Sequence, residues 1–310
     1  MPRPNRDGGE ARQNLGSSRG IFRAGASLPR WRRTFFMILP DASPLKPFIL
    51  QRRDQLAKAK VRRSLGQIQG KVGDMPMTRG FQGALAASFK ANGAPGIIAE
   101  LKGGSPFDPS FRTMVPYKAL AEDFEAVGAA ALSVAVERQA FRGSYSDLAT
   151  VRDAVDIPLL AQDIIFDLYQ ILEARLAGAD AVVLSAALLG PQLAEFRERA
   201  ASVAMDALVQ VHTPQEVEAA LAAGADFVCA TNRNIHTFEL KPGTCEELIP
   251  LIPATKALVV AEGGLGTAAD RERLGAAGAK ALLIGTAMMK DADPAGVLEQ
   301  VLGIETEAAD

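Results

Sequence analysis

A Gly-Ala or Ala-Gly-Ala phrase stands immediately ahead of an apolar run four times in this chain: VGAAALSVAV at 127–136, AGADAVVLSA at 177–186, AGADFVCAT at 223–231 and AGAKALLIGT at 277–286. The glycines Gly128, Gly178, Gly224 and Gly278 lie 50, 46 and 54 residues apart, enough for two strand-plus-helix units each time. Four more apolar runs precede or separate them: GIIAELK (96–102), IPLLAQDII (157–165), MDALVQVH (205–212) and KALVVAEGG (256–264). Segments of helical pattern, such as TPQEVEAALAAG and TAADRERLGAAG, lie between the runs. The glycine predicts a helix C-cap, and the alanine after it allows a tight turn into a strand. Strands that are apolar almost throughout belong to a parallel sheet covered on both faces. Eight such units in about 205 residues predict an α/β chain folded as a (β/α)8 barrel over 96–303. A doubly wound open sheet is the alternative. It would carry a GxGxxG after its first strand, which is absent here.

Composition narrows the function classes. Apolar residues make up 48% of the 310, enough for a sizeable core, while 23% charged residues and a net charge of −2 argue against a disordered chain and against nucleic-acid binding. No window reaches 18 uninterrupted apolar residues, so no membrane partner is expected. Two cysteines, Cys229 and Cys245, and two histidines suit neither a disulfide framework nor a structural zinc site; a reduced, cytoplasmic setting fits. Residues 1–36 hold eight Arg and two acids, a charge of +6 that leaves −8 for the remainder. They show no hydrophobic periodicity. They are expected to be a disordered leader or the result of a start assigned upstream of Met37; an organelle transit peptide and a binding arm are the other options. Residues 37–95 are expected to form an N-terminal helical extension, and 304–310 a tail. Within the extension, Ile49, Leu50, Leu56, Val61 and Leu65 have helical spacing. Seven basic residues against one acid between Lys46 and Arg63 predict a solvated, basic helix face. A loop, GKVGDMPMTRG, and a short helix near 81–90 complete it.

In such a barrel the chemistry sits where the strands end. The eight runs end, in order, in Glu100, Lys102 and Ser105; Ser133 and Glu137; Gln162 and Asp163; Ser185; Gln210 and His212; Thr231, Asn232, Arg233 and Asn234; Glu262, Gly263 and Gly264; and Gly285 and Thr286. Glu100 and Lys102, two apart on a strand, face the same side. Opposite charges inside a barrel are costly unless they pair or work, so they are expected to handle substrate. Glycine in AEGGL and IGTAMM, after the last two runs, lets backbone N–H groups approach an anion, and barrels often hold a substrate phosphate there. His212 is expected to be a supporting residue, His236 a solvated one, and both cysteines packing residues.

Together these segments resemble the indole-3-glycerol phosphate synthase family. The resemblance runs in order through IIAELKGGSP, ALSV…FRGSYSDL, IPLLAQDIIFDLYQILEARLAGADAVVL, ALVQVHTPQEVEAALAAGADF, TNRNIHTFE, VVAEGGL and ALLIGTAMM, with RGFQGAL at 79–85 resembling part of the family's N-terminal extension. It implies a barrel enzyme of tryptophan biosynthesis. Its substrate would be 1-(o-carboxyphenylamino)-1-deoxyribulose 5-phosphate, closed to an indole with loss of CO₂ and water, without cofactor or metal. Other enzymes of that pathway become candidate protein partners. The resemblance places acid–base work and carboxylate binding on Glu100 and Lys102. It places substrate and phosphate contacts on Ser105, Thr231, Arg233, Glu262, Gly263, Gly264, Gly285 and Thr286. Several positions depart from the family pattern. Gln162 stands where the family has its strand-end lysine, Gln210 where it has a glutamate, Thr231 for an asparagine, Gly263 for a serine and Ile164 for an aromatic. A glutamine side chain hydrogen-bonds but does not move a proton at neutral pH, and loss of one general acid costs about 10²–10⁴ in rate. Two expectations follow: a lyase run by Glu100 and Lys102 on this or a related phosphosugar, or a barrel that binds a phosphorylated ligand or a partner enzyme without catalysis.

Overall fold

In a computed structural model of the chain, which describes residues 43–304, eight parallel strands close into a barrel. They are β1 (Gly96–Leu101), β4 (Ala131–Ala135), β5 (Leu159–Gln162), β6 (Ala181–Ser185), β7 (Asp206–Val211), β8 (Phe227–Thr231), β9 (Leu258–Glu262) and β10 (Ala281–Ile284). Each pairs with its sequence neighbour, and β1 closes the ring between β10 and β4. All eight fall inside the apolar runs. The four repeated glycines have φ between 78° and 118°, left-handed values that fit the capping role expected of them. After β1 the chain makes a small antiparallel hairpin that its pattern did not signal, β2 (Gly104–Ser105) with β3 (Asp108–Arg112).

Alternation along the strands builds two cores. Ile97, Ala99 and Leu101 of β1 pack outward against the surrounding helices. Ile98 points into the barrel, where it joins Leu160, Val183, Leu208, Phe227, Cys229, Val260 and Leu283. The period of two then carries the next inward positions to the open end of the barrel. Those positions are Glu100, Gln162, Ser185, Gln210, Thr231, Glu262 and Gly285.

Three helices precede β1: α1 (Lys46–Arg62), α2 (Leu65–Gly73) and α3 (Phe81–Asn92). Helix α3 plugs the closed end with Phe81 and Leu85, both fully buried; the Phe81 ring lies 6.1 Å from that of Phe227. Backbone N–H groups of Arg79 and Gln82 donate to Asp180 and Asp206 at 2.9 and 2.8 Å, which fixes the plug. Helix α2 begins at a capping box on Ser64 and extends through GKVG, which the sequence placed in a loop. The solvated, basic face expected of α1 is present at the exposed Lys58, Lys60 and Arg62, but Arg52 departs from it. Val61 and Leu65 are exposed, whereas Ile49, Leu56 and the charged Arg52 are buried. The reason lies outside the helix. Arg52 reaches Asp163 with Nε and Nη2 at 3.2 and 3.0 Å and Glu173 at 3.0 Å. The leader and most of the expected tail lie outside the described residues. No helix among the described residues is long and apolar enough to cross a membrane.

Candidate active site

The open end of the barrel holds a cavity of about 490 Å³. Glu100, Lys102, Gln162, Gln210, Thr231, Arg233, Glu262, Gly263, Gly264, Gly285 and Thr286 all line it. Ser105 is the exception among the expected residues. It is buried on β2, where its hydroxyl accepts from the Phe107 N–H at 3.2 Å, and it does not reach the cavity wall.

Two polar pairs organise the floor. Lys102 Nζ donates to Glu100 Oε2 at 2.5 Å, both side chains being less than a tenth exposed. Such a charge-assisted contact in a poorly hydrated place holds both groups in one geometry. Across the floor, Gln210 Nε2 donates to Glu262 Oε1, and the Thr231 hydroxyl also donates to that carboxyl. Burial pushes the Glu262 carboxyl up from its usual range, and the Gln210 hydrogen bond only partly opposes it. Gln162 reaches the wall from the end of β5, with a buried amide oxygen that has no hydrogen-bond partner among the described residues. Gly285 stands under the first pair. A Cβ there would lie 2.9 Å from the Glu100 Cβ and 3.0 Å from its carboxyl carbon.

Asp163, next to Gln162, is turned away from bulk water. It accepts from Arg52, from the Tyr145 hydroxyl at 2.9 Å and from Gln170 Nε2 at 3.1 Å. Burial alone would lower the Arg52 guanidinium; Asp163, with Tyr145 and Glu173, outweighs it and holds that group above its ordinary value. Glu137 caps the 138–142 loop, accepting the Gln139 N–H at 2.9 Å and the Ala140 N–H at 2.5 Å. Its other oxygen is buried without a partner among the described residues, and burial raises its carboxyl.

Much of the remaining wall is apolar, and that part was not legible as a site. Phe48 of α1, Phe107 and Phe141 of the loops after β1 and β4, and Ile164, Leu188, Ile235 and Phe238 form a slot above the polar floor. The hints in the sequence were Phe107 directly after Ser105-Pro106 and Ile164 at a position where the family has an aromatic. His212 fits its supporting role: Nδ1 lies 2.9 Å from the Thr231 carbonyl oxygen, and its backbone N–H donates to Glu216 at 2.7 Å. His236 differs from expectation. It is half-buried, its Nδ1 has no partner among the described residues, and burial lowers its imidazole. Cys229 and Cys245 are buried, and burial pushes the Cys245 thiol up to about 12. Among the described residues no group of three or more His, Cys, Asp or Glu side chains is placed to hold a metal ion.

Comparison with known proteins bears on this arrangement. The sequence model for indole-3-glycerol phosphate synthase matches residues 45–301. A protein of that name from Rhodopirellula baltica is 36% identical over 250 residues, covering 80% of this chain and 95% of its own length. Another from Nocardioides sp. is 41% identical over 219 residues, covering 70% and 84%. A third from Polaromonas sp. is 36% identical over 262 residues, covering 84% and 98%. Among solved structures, thiamine phosphate pyrophosphorylase from Pyrococcus furiosus matches with a TM-score of 0.50 at 18% identity, over 69% of this chain and 96% of that one. That last likeness concerns the fold alone.

Proposed function

The chain belongs to the indole-3-glycerol phosphate synthase family of decarboxylating carbon–carbon lyases, and from that premise we propose how its own residues carry the family reaction. The substrate is a phosphorylated small molecule, 1-(o-carboxyphenylamino)-1-deoxyribulose 5-phosphate. The observation that carries the assignment is the buried Glu100–Lys102 pair on the cavity floor, flanked by two glutamines that cannot transfer protons.

The ring carbon bearing the carboxylate attacks the ketone carbon, and the Lys102 ammonium gives a proton to the developing alkoxide, with Glu100 holding that ammonium in place. Loss of CO₂ restores the aromatic ring. A carboxylic acid gives its proton to the new hydroxyl, which leaves as water, and the resulting carboxylate takes the C–H proton beside it. Glu262, raised by burial, suits that role. Gln210 orients Glu262 and Thr231 assists. Gln162, whose amide oxygen has no partner among the described residues, is left to hydrogen-bond the substrate. The apolar slot suits the aromatic half of the substrate. Arg233, Gly263, Gly264, Gly285 and Thr286 border the end where a phosphate is to be held. Ser105 contributes through the Phe107 turn that it supports.

With one general acid fewer than the family pattern, turnover is expected to be slow or absent while a phosphorylated ligand still binds. Absence of turnover with binding retained would favour the second expectation, a non-catalytic barrel. The experiment follows indole fluorescence, with little background because Trp31 is the only tryptophan. Gln162→Lys should raise the rate. Gln210→Glu alone should not, because it replaces the donor to Glu262 by a second buried carboxylate. In the double variant the new ammonium and carboxylate compensate each other, so its rate should exceed the product of the two single effects. A wild-type turnover on the order of 1 s⁻¹ or more would overturn the expectation of slow chemistry and show that Lys102 and Glu100 suffice.

A further inference from the structure

One contact at the mouth of the cavity has no part in the proton transfers. The Arg233 guanidinium carbon lies 4.1 Å from the centre of the Phe107 ring. Phe107 in turn meets Phe238 edge-on, with ring centroids 4.9 Å apart. Arg233 Nη1 donates to the Phe238 carbonyl at 2.8 Å. These groups come from two segments distant in sequence, the turn between β2 and β3 and the 232–240 loop after β8.

The loop is shaped for this contact. Phe238 has φ of 63°, a left-handed conformation rare for a residue with a side chain. Its N–H donates to the Asn234 carbonyl at 2.8 Å, and the Asn234 N–H donates to the Glu239 carbonyl at 2.9 Å. The turn therefore closes on itself and presents the Phe238 carbonyl to Arg233. A guanidinium is planar, with five N–H donors around its edge. Stacking on Phe107 uses its face, and the Phe238 carbonyl uses one edge position. The rest of the edge stays available to an anion.

We propose that Phe107 is a positioning residue, whose ring face holds the Arg233 guanidinium in the orientation that receives the anionic group of the ligand. An arginine already ordered before binding loses less side-chain freedom when it binds, so the stack should act on affinity. This inference rests on the assignment of Arg233 to ligand binding, and the test separates the two. Inorganic phosphate is titrated calorimetrically into the full chain. Phe107→Leu should weaken binding about 3- to 30-fold, the range expected for a cation–π contact, while Phe107→Tyr, which keeps the ring face, should stay within about 2-fold of wild type. Phe107→Met serves as a second ring-free variant. In an Arg233→Ala background Phe107→Leu should have no further effect. Wild-type affinity in the ring-free variants, with Arg233→Ala weakened, would overturn the role of Phe107 alone. So would an equal loss from Phe107→Leu with and without Arg233, because a general effect on the cavity would not need the arginine. Wild-type affinity in Arg233→Ala would overturn the assignment of Arg233 itself.

Discussion

Gly285 tolerates little change. A methyl group there would meet the Glu100 Cβ and carboxyl carbon at 3.0 Å or less, so the glutamate would have to swing away from Lys102. Gly285→Ala is therefore expected to cost about 1–3 kcal/mol in denaturant unfolding, the usual range for overpacking. It should also weaken phosphate binding, because the ion pair on the floor is displaced. Glu100→Ala removes the carboxyl carbon, so the double variant should lose less stability than the two single losses added. Strict additivity would show that Gly285 acts through something other than Glu100. The glycine thus has a steric reason in addition to any close approach of a ligand.

At the scale of the element, α1 is tied to the barrel through one charged side chain. Arg52 is 7% exposed and Asp163 fully buried, so water screens this pair little. Arg52→Met should cost about 3–5 kcal/mol, because it leaves the Asp163 and Glu173 carboxylates buried and uncompensated. Guanidinium unfolding checks this. A triple change that also makes Asp163→Asn and Glu173→Gln should recover much of the loss. A cost below about 1 kcal/mol would mean that Leu45, Ile49 and Leu56 hold the helix without the ion pair. Asp163 directly follows Gln162, so the helix also governs how firmly the end of β5 is held beside the cavity.

For the whole molecule, burial raises the carboxyls of Glu137, Glu173, Asp206 and Glu262. A carboxyl with a raised folded-state pKa binds its proton more readily in the folded than in the unfolded state. Its contribution to stability is therefore complete below the unfolded value, about 4.3 for Glu, and is lost as pH rises through the folded value. Glu137→Gln removes one such group while keeping an oxygen to accept the Gln139 and Ala140 N–H groups. Melting temperatures between pH 4 and pH 8 should show the variant gaining on the wild type as pH rises. Parallel curves would show that Glu137 keeps one protonation state across that range.

The barrel was legible because its signals are local. A capping glycine, a turn alanine and an apolar run each act over a few residues, and eight repetitions leave few architectures open. Alternation along each strand also determined that Glu100, Gln162, Gln210, Thr231 and Glu262 share the inner face, since period two is a property of the strand alone. What joins one strand to another is not local, and only the tertiary structure decided it. Gln210 meets Glu262 across 52 positions and Arg52 meets Asp163 across 111; Phe107 finds Arg233, and Gly285 finds Glu100, only when the barrel closes. Arg52 read as part of a solvated face because an arginine is buried only where buried acceptors await it. Those acceptors arrive from α6 (Leu168–Leu176, counting the short helix Tyr145–Ala154 as α5 and Tyr117–Val127 as α4) and from the end of β5. Partners of that kind are brought together by chain closure, so no window of the sequence contains them.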